Sequence, residues 1–426
     1  MGGRGDAQRG RGAGARARMD GVLDRVRELR ASDAFEPPEQ TGAAISPQAA
    51  KADARRDSRR CWAALGVSLG VLLVVGLLGL CIPASTTGGA GNPVAPADAL
   101  AYWALQFKVS VVSLFDTSIV GEEGRLWAQF AAEHPGVDMD GLGLRAWVTL
   151  AVIACGCMLA CAGLLFQTAF KNPLATPSIL GVSDGVTLGS LLFVALGNYS
   201  ISQAPELYML CVYGCGAATL LAVLLLSRVV SGRRANVFDM LLVGTVIAQL
   251  LSGINGYVTN FGLDAGAWAS FYTLQQAYDA LAQPVTYRLV AIFFVLTVVP
   301  ALALRFRLNL IAFDDGESRM SGVRPAVLRG LALVLGSAMQ LVAMASIGQV
   351  AMLSLVVPFL VRYLLPSDFR WQLLGNCVIG SIALLVCSDA QAFLTFGLAT
   401  MPVGTIVGFA VIPFLLWLVA LQRKGW

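Results

Sequence analysis

The chain has 426 residues, of which 57% are hydrophobic, 13% are charged and one is a histidine. Soluble domains carry nearer half apolar and a quarter charged residues, so a soluble fold is excluded. The formal net charge of +4 lies wholly within residues 1–62, which hold 13 of the 30 Lys and Arg and 9 of the 26 Asp and Glu; with the remainder neutral and apolar, a basic face for nucleic acid is excluded as well.

Residues 1–60 are rich in Arg, Gly and Ala, with no run able to bury a core, which predicts a disordered, basic cytoplasmic tail. Within it Val22, Leu23, Val26 and Leu29 share one helical face behind a capping Asp20. Met19 stands just before them as an alternative start, with the Gly/Arg-rich leader as an extension. The first apolar run, 62–82, comes too late for a secretory signal and is long enough to span a bilayer. Arg55, Arg56, Arg59 and Arg60 precede it, and the positive-inside rule then keeps the N-terminus in the cytoplasm.

Further apolar segments follow at about 147–167, 179–197, 207–230, 238–258, 287–306, 326–346, 350–364, 371–390 and 402–421. The expectation is an all-α integral membrane protein of about ten transmembrane helices, with 61–426 as its membrane domain. This count puts Lys171, Arg233 and Arg234, the loop 308–325, the loop 362–370 and the C-terminal Arg423 and Lys424 on the cytoplasmic side, in agreement with one orientation. The long segment 83–144 is then extracytoplasmic, and its half-apolar stretch 99–114 reads as an amphipathic helix at the membrane surface or against the outer mouth. In the other outside segment, 259–286, Trp268, Phe271 and Tyr272 are candidate interface anchors. The eighth segment is shorter than a perpendicular span and contains Pro358. Such a break is tolerated in lipid only where protein or a water-filled path covers the freed backbone groups.

Enzyme chemistry finds little to work with. His134 sits in a polar stretch with no Cys or second His beside it, and Cys155, Cys157, Cys161, Cys211, Cys215, Cys377 and Cys387 all lie inside apolar segments. There cysteine behaves as a small hydrophobe, and Cys155, Cys157 and Cys161 lack metal-site spacing, so neither metal nor cofactor is expected. No Gly-x-x-x-x-Gly-Lys-Ser/Thr phosphate loop occurs in this chain, so ATP hydrolysis, if used, belongs to another protein.

Three segments stand out chemically. Asn172, Pro173 and Pro177 end one helix and shape entry into the next, ahead of Ser183 and Asp184; a structural turn explains them equally well. The loop 311–324 gathers Asp314, Asp315 and Glu317 against Arg319 and Arg324, with Gly316 and Gly322 able to end short helices. Such a run is either solvated surface or a docking site whose charges set register and partner. Pro358, Pro402 with Gly404, and Pro413 fall within or beside successive apolar segments, as bent helices around a path require. Gln167, Ser183, Ser252, Asn255, Ser354 and Thr405 are candidates to line that path, being polar groups whose burial needs a partner or water.

At these residues the sequence resembles the FecCD family, the permease subunits of binding-protein-dependent ABC importers for ferric siderophores, haem and cobalamin. The resemblance is carried by Ala162 through Gln167, Asn172-Pro173-Leu174-Ala175, Leu180-Gly181-Val182-Ser183, then Arg319 with Gly322, Pro358 with Arg362, Asp389, Pro402-Val403-Gly404 and Pro413-Phe414, in the family's order. It covers about residues 140–424. It implies a FecCD permease fold, a homodimer with the path at its two-fold axis, two ABC ATPase subunits inside and a solute-binding protein outside. By the same resemblance Asp314, Asp315, Glu317, Arg319 and Gly322 form the coupling segment on the ATPase, which transmits its closure as a rigid-body shift. The family's Arg-Leu-Pro-Arg run reads Arg145-Ala146-Trp147-Val148 here, leaving Arg145 as the residue implied to dock the binding protein. The family's Gly-Pro-Ile-Gly-Phe-Val-Gly is Gly348-Gln349-Val350-Ala351-Met352-Leu353-Ser354, its following histidine is Phe359, and a glycine near the last proline is Val411.

The leading expectation is therefore a permease in the cytoplasmic membrane, with both termini inside, moving a ferric siderophore with energy from a separate ATPase. Haem or cobalamin are alternative cargoes. An ion-coupled secondary transporter is the alternative mechanism, but it predicts ionisable residues at mid-membrane, and Asp184, Asp239 and Asp389 all lie near segment ends.

Overall fold

In this computed structural model the described residues are 47–80, 96–109, 123–135, 137, 139–197, 201, 203–231, 237–276, 280–281, 283–312, 320, 324–350, 352–366, 368–393 and 402–422. They form thirteen α-helices and no strand: α1 (Pro47–Gly79), α2 (Pro96–Phe107), α3 (Glu123–Glu133), α4 (Met139–Ala169), α5 (Val182–Ala195), α6 (Pro205–Ser231), α7 (Val237–Tyr257), α8 (Ala265–Gln276), α9 (Pro284–Asn309), α10 (Pro325–Ile347), α11 (Leu353–Leu364), α12 (Phe369–Phe393) and α13 (Val403–Gln422). Residues Cys61–Trp426 make one compact unit and Met1–Arg60 another. Of the latter the structure describes only the start of α1, so the Met19 start and the 22–29 helix lie outside the described residues.

Among the described residues seven helices are long and apolar enough to cross a membrane, and three shorter apolar ones, Val182–Ala195, Leu353–Leu364 and Val403–Pro413, account for the remaining apolar segments of the sequence. Two boundaries differ from expectation for physical reasons. Helix α1 begins at Pro47, inside the stretch expected to be structureless, because residues 48–56 are Gln, Ala, Lys, Asp and Arg, mostly strong helix formers. Helix α4 begins at Met139, eight residues before the apolar run, and carries Asp140 and Arg145 into its first two turns. A carboxylate at the helix start interacts favourably with the N-terminal dipole, and Arg145 finds partners described below.

The core is built around α4 and α10, whose spans are 83% and 78% buried against 6% for that of α1. The most extensive helix pairs are α4 with α12, α4 with α10, and α5 with α6. Helix α1 instead presents Leu69, Leu73, Val74, Leu77 and Leu78 outward, as suits a surface solvated by acyl chains, where burial against protein adds little driving force.

Above the start of α4 the short helices α2 and α3 form a separate cap. Tyr102, Phe130 and Leu142 are its buried centre, with Tyr102 packed against Trp127 and Phe130 at ring centroid distances of 5.3 and 6.0 Å. A helix, Pro96–Phe107, covers the first part of the expected 99–114 stretch and packs against protein through Ala99 and Tyr102; residues 110–114 lie outside the described residues. Burial, and then the charge of Asp140, push the Tyr102 phenol upward. His134 Nδ1 lies 2.8 Å from Asp98 Oδ1, tying the end of α3 to the start of α2.

Candidate functional site

Two interruptions of helix meet inside the bundle. At the first, Pro358 lies in α11 and lacks an N–H to donate to the Ser354 carbonyl four residues back. That carbonyl is pressed onto Gly163 of α4, occupying the space a Cβ would need. One residue on, the Leu355 carbonyl accepts a hydrogen bond from Gln167 Nε2 at 3.3 Å. Helix α4 therefore covers the backbone that Pro358 loosens, as the absence of water in a bilayer demands. Gln167, at 2% exposure, and the fully buried Ser354 belong to this junction. Gln167 Oε1 is buried without a hydrogen-bond partner among the described residues.

The second junction centres on the turn at 348–350, between α10 and α11. Gly348 adopts φ +86° and Gly181, just before α5, adopts φ +72°, conformations that glycine reaches without steric cost. Gln349 reaches from the turn to the start of α5, its Nε2 donating to the Thr187 hydroxyl at 2.6 Å and to the Ser183 carbonyl at 3.3 Å. Asn255 of α7 donates through Nδ2 to the neighbouring Asp184 carbonyl at 2.9 Å. On the other side, Gly404 at the start of α13 is packed on the Gln349 carbonyl. Ser183 Oγ and Asn255 Oδ1 are buried without a partner among the described residues.

The structure thus gathers four of the six proposed path residues into two neighbouring groups, Gln167 with Ser354 and Ser183 with Asn255. Ser252 and Thr405 are exposed on the surface of this chain and join neither. Gln349 and Thr187 are the members that sequence reasoning missed as site residues. The replacement of the family's proline by Gln349 was the available signal, since it puts a donor where the resemblance predicts none.

Arg145, the residue implied to dock a binding protein, is turned inward in this chain. Its side chain is 7% exposed and pairs with Asp389 of α12, and its Nε donates to the Gly79 carbonyl at the end of α1, 3.1 Å away. A guanidinium so enclosed has little left for a docking partner. Physically, an arginine near a span's end is cheaper to satisfy inward, against a carboxylate and an orphan helix carbonyl, than to leave partly desolvated. The same geometry gives Asp389 its part: it is the counter-ion of Arg145.

The coupling residues Asp314, Asp315, Glu317, Arg319 and Gly322 lie outside the described residues, but both flanks are seen. A short turn Leu310–Ala312 buries Ile311 in the core, and Asn309 Oδ1 accepts the Phe369 backbone N–H at 3.2 Å, joining the end of α9 to the start of α12. Nearby, hydrogen bonds from Arg370 hold the Asp368 carboxyl below the ordinary carboxylate range, and the Arg370 and Arg305 guanidinium groups lie 5.5 and 5.1 Å from the Phe306 ring centroid. Arg362, in the last turn of α11, is half-buried.

The remaining motif residues are structural. Asn172 is exposed and its Oδ1 accepts the Leu174 N–H at 3.0 Å, an Asx turn beside the exposed Pro173. Pro402 starts α13, where its carbonyl accepts the N–H groups of Thr405 and Ile406, and Pro413 sits inside that helix.

A model of the FecCD transport family matches residues 110–421. A Helicobacter pylori protein named a probable iron chelatin transport system permease is 30% identical over 279 residues, 65% of this chain and 80% of that one. The hemin transport system permease HmuU of Yersinia pestis is 30% identical, covering 66% of this chain and 84% of its own. The vitamin B12 import system permease BtuC of Salmonella typhi is 28% identical over 63% and 80%. A solved structure described as an inward-facing, metal-chelate type ABC transporter superposes with a TM-score of 0.64 at 19% identity, covering 84% of this chain and 99% of that one.

Proposed function

Because this chain belongs to the FecCD transport family, and so is a multi-pass ABC importer permease, we propose that it carries an iron chelate of the ferric-siderophore class inward, driven by separate ATPase subunits. In this reading a binding protein delivers cargo from outside, a second copy of the chain completes the path, and both termini are cytoplasmic. The observation that carries the mechanism is the meeting of two helix interruptions at Gln349 and Pro358. Helix α5 has 14 residues and α11 has 12, so at 1.5 Å per residue each falls short of a ~30 Å hydrocarbon core. Broken helices of that kind persist at membrane depth where they border a path.

No ionisable pair is needed to hold the metal. A chelate arrives already wrapped, so amides and hydroxyls exposed on the face that a second copy would cover suffice to hydrate or graze it in passage. Energy would enter through 313–323. Asn309 and Ile311, on the described flank, tie the end of α9 to α12 and the core, so a push delivered there would be passed on as a rigid-body shift.

The discriminating experiment is uptake of a labelled ferric chelate into liposomes holding this permease, its ATPase and its binding protein. Transport should require ATP and cease when the ATPase is omitted; uptake by the permease alone would instead establish the ion-coupled mechanism. Within that assay, reversing both Asp314 and Asp315 to Lys should cut uptake by about tenfold or more, since like charges at a docking face cost several kcal/mol. The permease should remain folded and membrane-inserted. Unchanged uptake would reduce the segment to solvated surface.

A further inference from the structure

Cys157 and Cys161 stand one turn apart on one face of α4, and α12 brings Cys377 to them. Their three Sγ atoms all lie within 4.8 Å of one another, with Cys161 and Cys377 3.4 Å apart. Among the described residues no His, Asp or Glu belongs to the group. Cys161 is fully buried and Cys157 is 4% exposed, while Cys377 is half-buried and offers the side of entry.

The backbones that carry these thiols are locked together. A Cβ on Gly156 would come within 2.5 Å of the Gly380 carbonyl oxygen, and Ser381 Oγ donates across the interface to the Ile153 carbonyl at 2.8 Å. The sulfurs are therefore positioned by main-chain contact and not by side-chain choice alone, which is the preorganisation that a ligand site needs. Metal–thiolate bonds of about 2.3 Å place three sulfurs in a plane around an ion about 4.0 Å apart, a spacing inside the 4.8 Å limit within which the three Sγ atoms lie. The donor set is soft and has three members. Zinc in a protein takes four ligands, whereas Cu(I) is selected by thiolates and accepts three.

We infer that Cys157, Cys161 and Cys377 form an intramembrane site for a thiophilic monovalent ion of the Cu(I) class. Binding exchanges S–H for S–Cu bonds; each sulfur that deprotonates releases its proton to solvent and the copper stays Cu(I), so no oxidant or reductant takes part. A low ionic charge and a small number of deprotonated sulfurs suit this setting, because excess charge is costly to bury. Once filled, the site would link α4 to α12 by bonds far stronger than their packing. The inference does not depend on which cargo the permease carries.

The test uses the whole reduced chain in lipid nanodiscs, titrated with Cu(I) against a coloured Cu(I) chelator. The chain should withdraw one equivalent, and X-ray absorption on the same unmodified protein should show a sulfur-only shell. Cys161→Ser and Cys377→Ser should each weaken retention by about tenfold or more, since loss of even an outer-shell partner costs about 10–100-fold, while Cys211→Ser, outside the group, should retain the ion. No withdrawal by the unmodified chain, a shell containing nitrogen or oxygen, or retention unchanged in both serine variants would overturn the inference. So would a Cys161–Cys377 disulfide, read as the mass loss of two hydrogens, in membranes prepared without added oxidant.

Discussion

Asp389→Ala is expected to destabilise the folded permease by about 3–5 kcal/mol, the cost of stranding one member of a buried ion pair. Asp389 is paired with Arg145 at side-chain exposures of 14% and 7%, and the Arg145 Nε holds the terminal carbonyl region of α1 through Gly79. Three helices, α1, α4 and α12, therefore meet at one guanidinium. Removing the carboxylate leaves that positive charge enclosed with a single carbonyl partner. Removing both charges, in Arg145→Leu with Asp389→Leu, should recover most of the loss, since apolar pairs of similar volume commonly replace buried ion pairs at little cost. Thermal unfolding of the purified protein across this double-mutant cycle measures both effects. An Asp389→Ala variant within about 0.5 kcal/mol of the parent, the range of ordinary surface changes, would show that the pair is solvated.

Gly163→Ala is expected to be nearly as damaging, though it adds one methyl group. The added Cβ would fall on the Ser354 carbonyl oxygen, and a backbone atom cannot rotate away as a side chain can. Helices α4 and α11 would have to separate, which also pulls the Leu355 carbonyl from Gln167. Overpacking typically costs 1–3 kcal/mol, and the lost cover of the Pro358 break adds an unsatisfied carbonyl at about 1–3 kcal/mol. The control is Gly253→Ala in α7, where a Cβ meets nothing within 4 Å and helix propensity improves. Yield of monodisperse protein and uptake should collapse for the first variant and hold for the second. Equal behaviour of the two would remove the close contact from the account.

The sequence made the apolar segments legible because a bilayer allows few backbone solutions, and a helix occupies each of them. It misplaced boundaries where polarity was settled by tertiary partners. Arg145 looked like the edge of a span and a point of external contact because its counter-ion lies 244 residues away. Gln349 looked like a departure from a motif, yet its amide bridges two interruptions. Ser252 and Thr405 read as candidates to line a path, and both are exposed on the surface of this single chain, where a second copy would have to complete that path. Cys377 had no visible relation to Cys157 and Cys161, since only the pairing of α4 with α12 joins them. Long-range coincidence is the part of a site that local pattern does not encode.

The small aromatic centre of Tyr102, Phe130 and Leu142 is a different core from the one that holds the bundle. Cooperative opening follows contiguous packing, and units with few buried apolar contacts open at lower free energy. Helices α2 and α3 can consequently open as one piece on the stem of α4 while the bundle stays closed, which gives this small cap a local stability of its own.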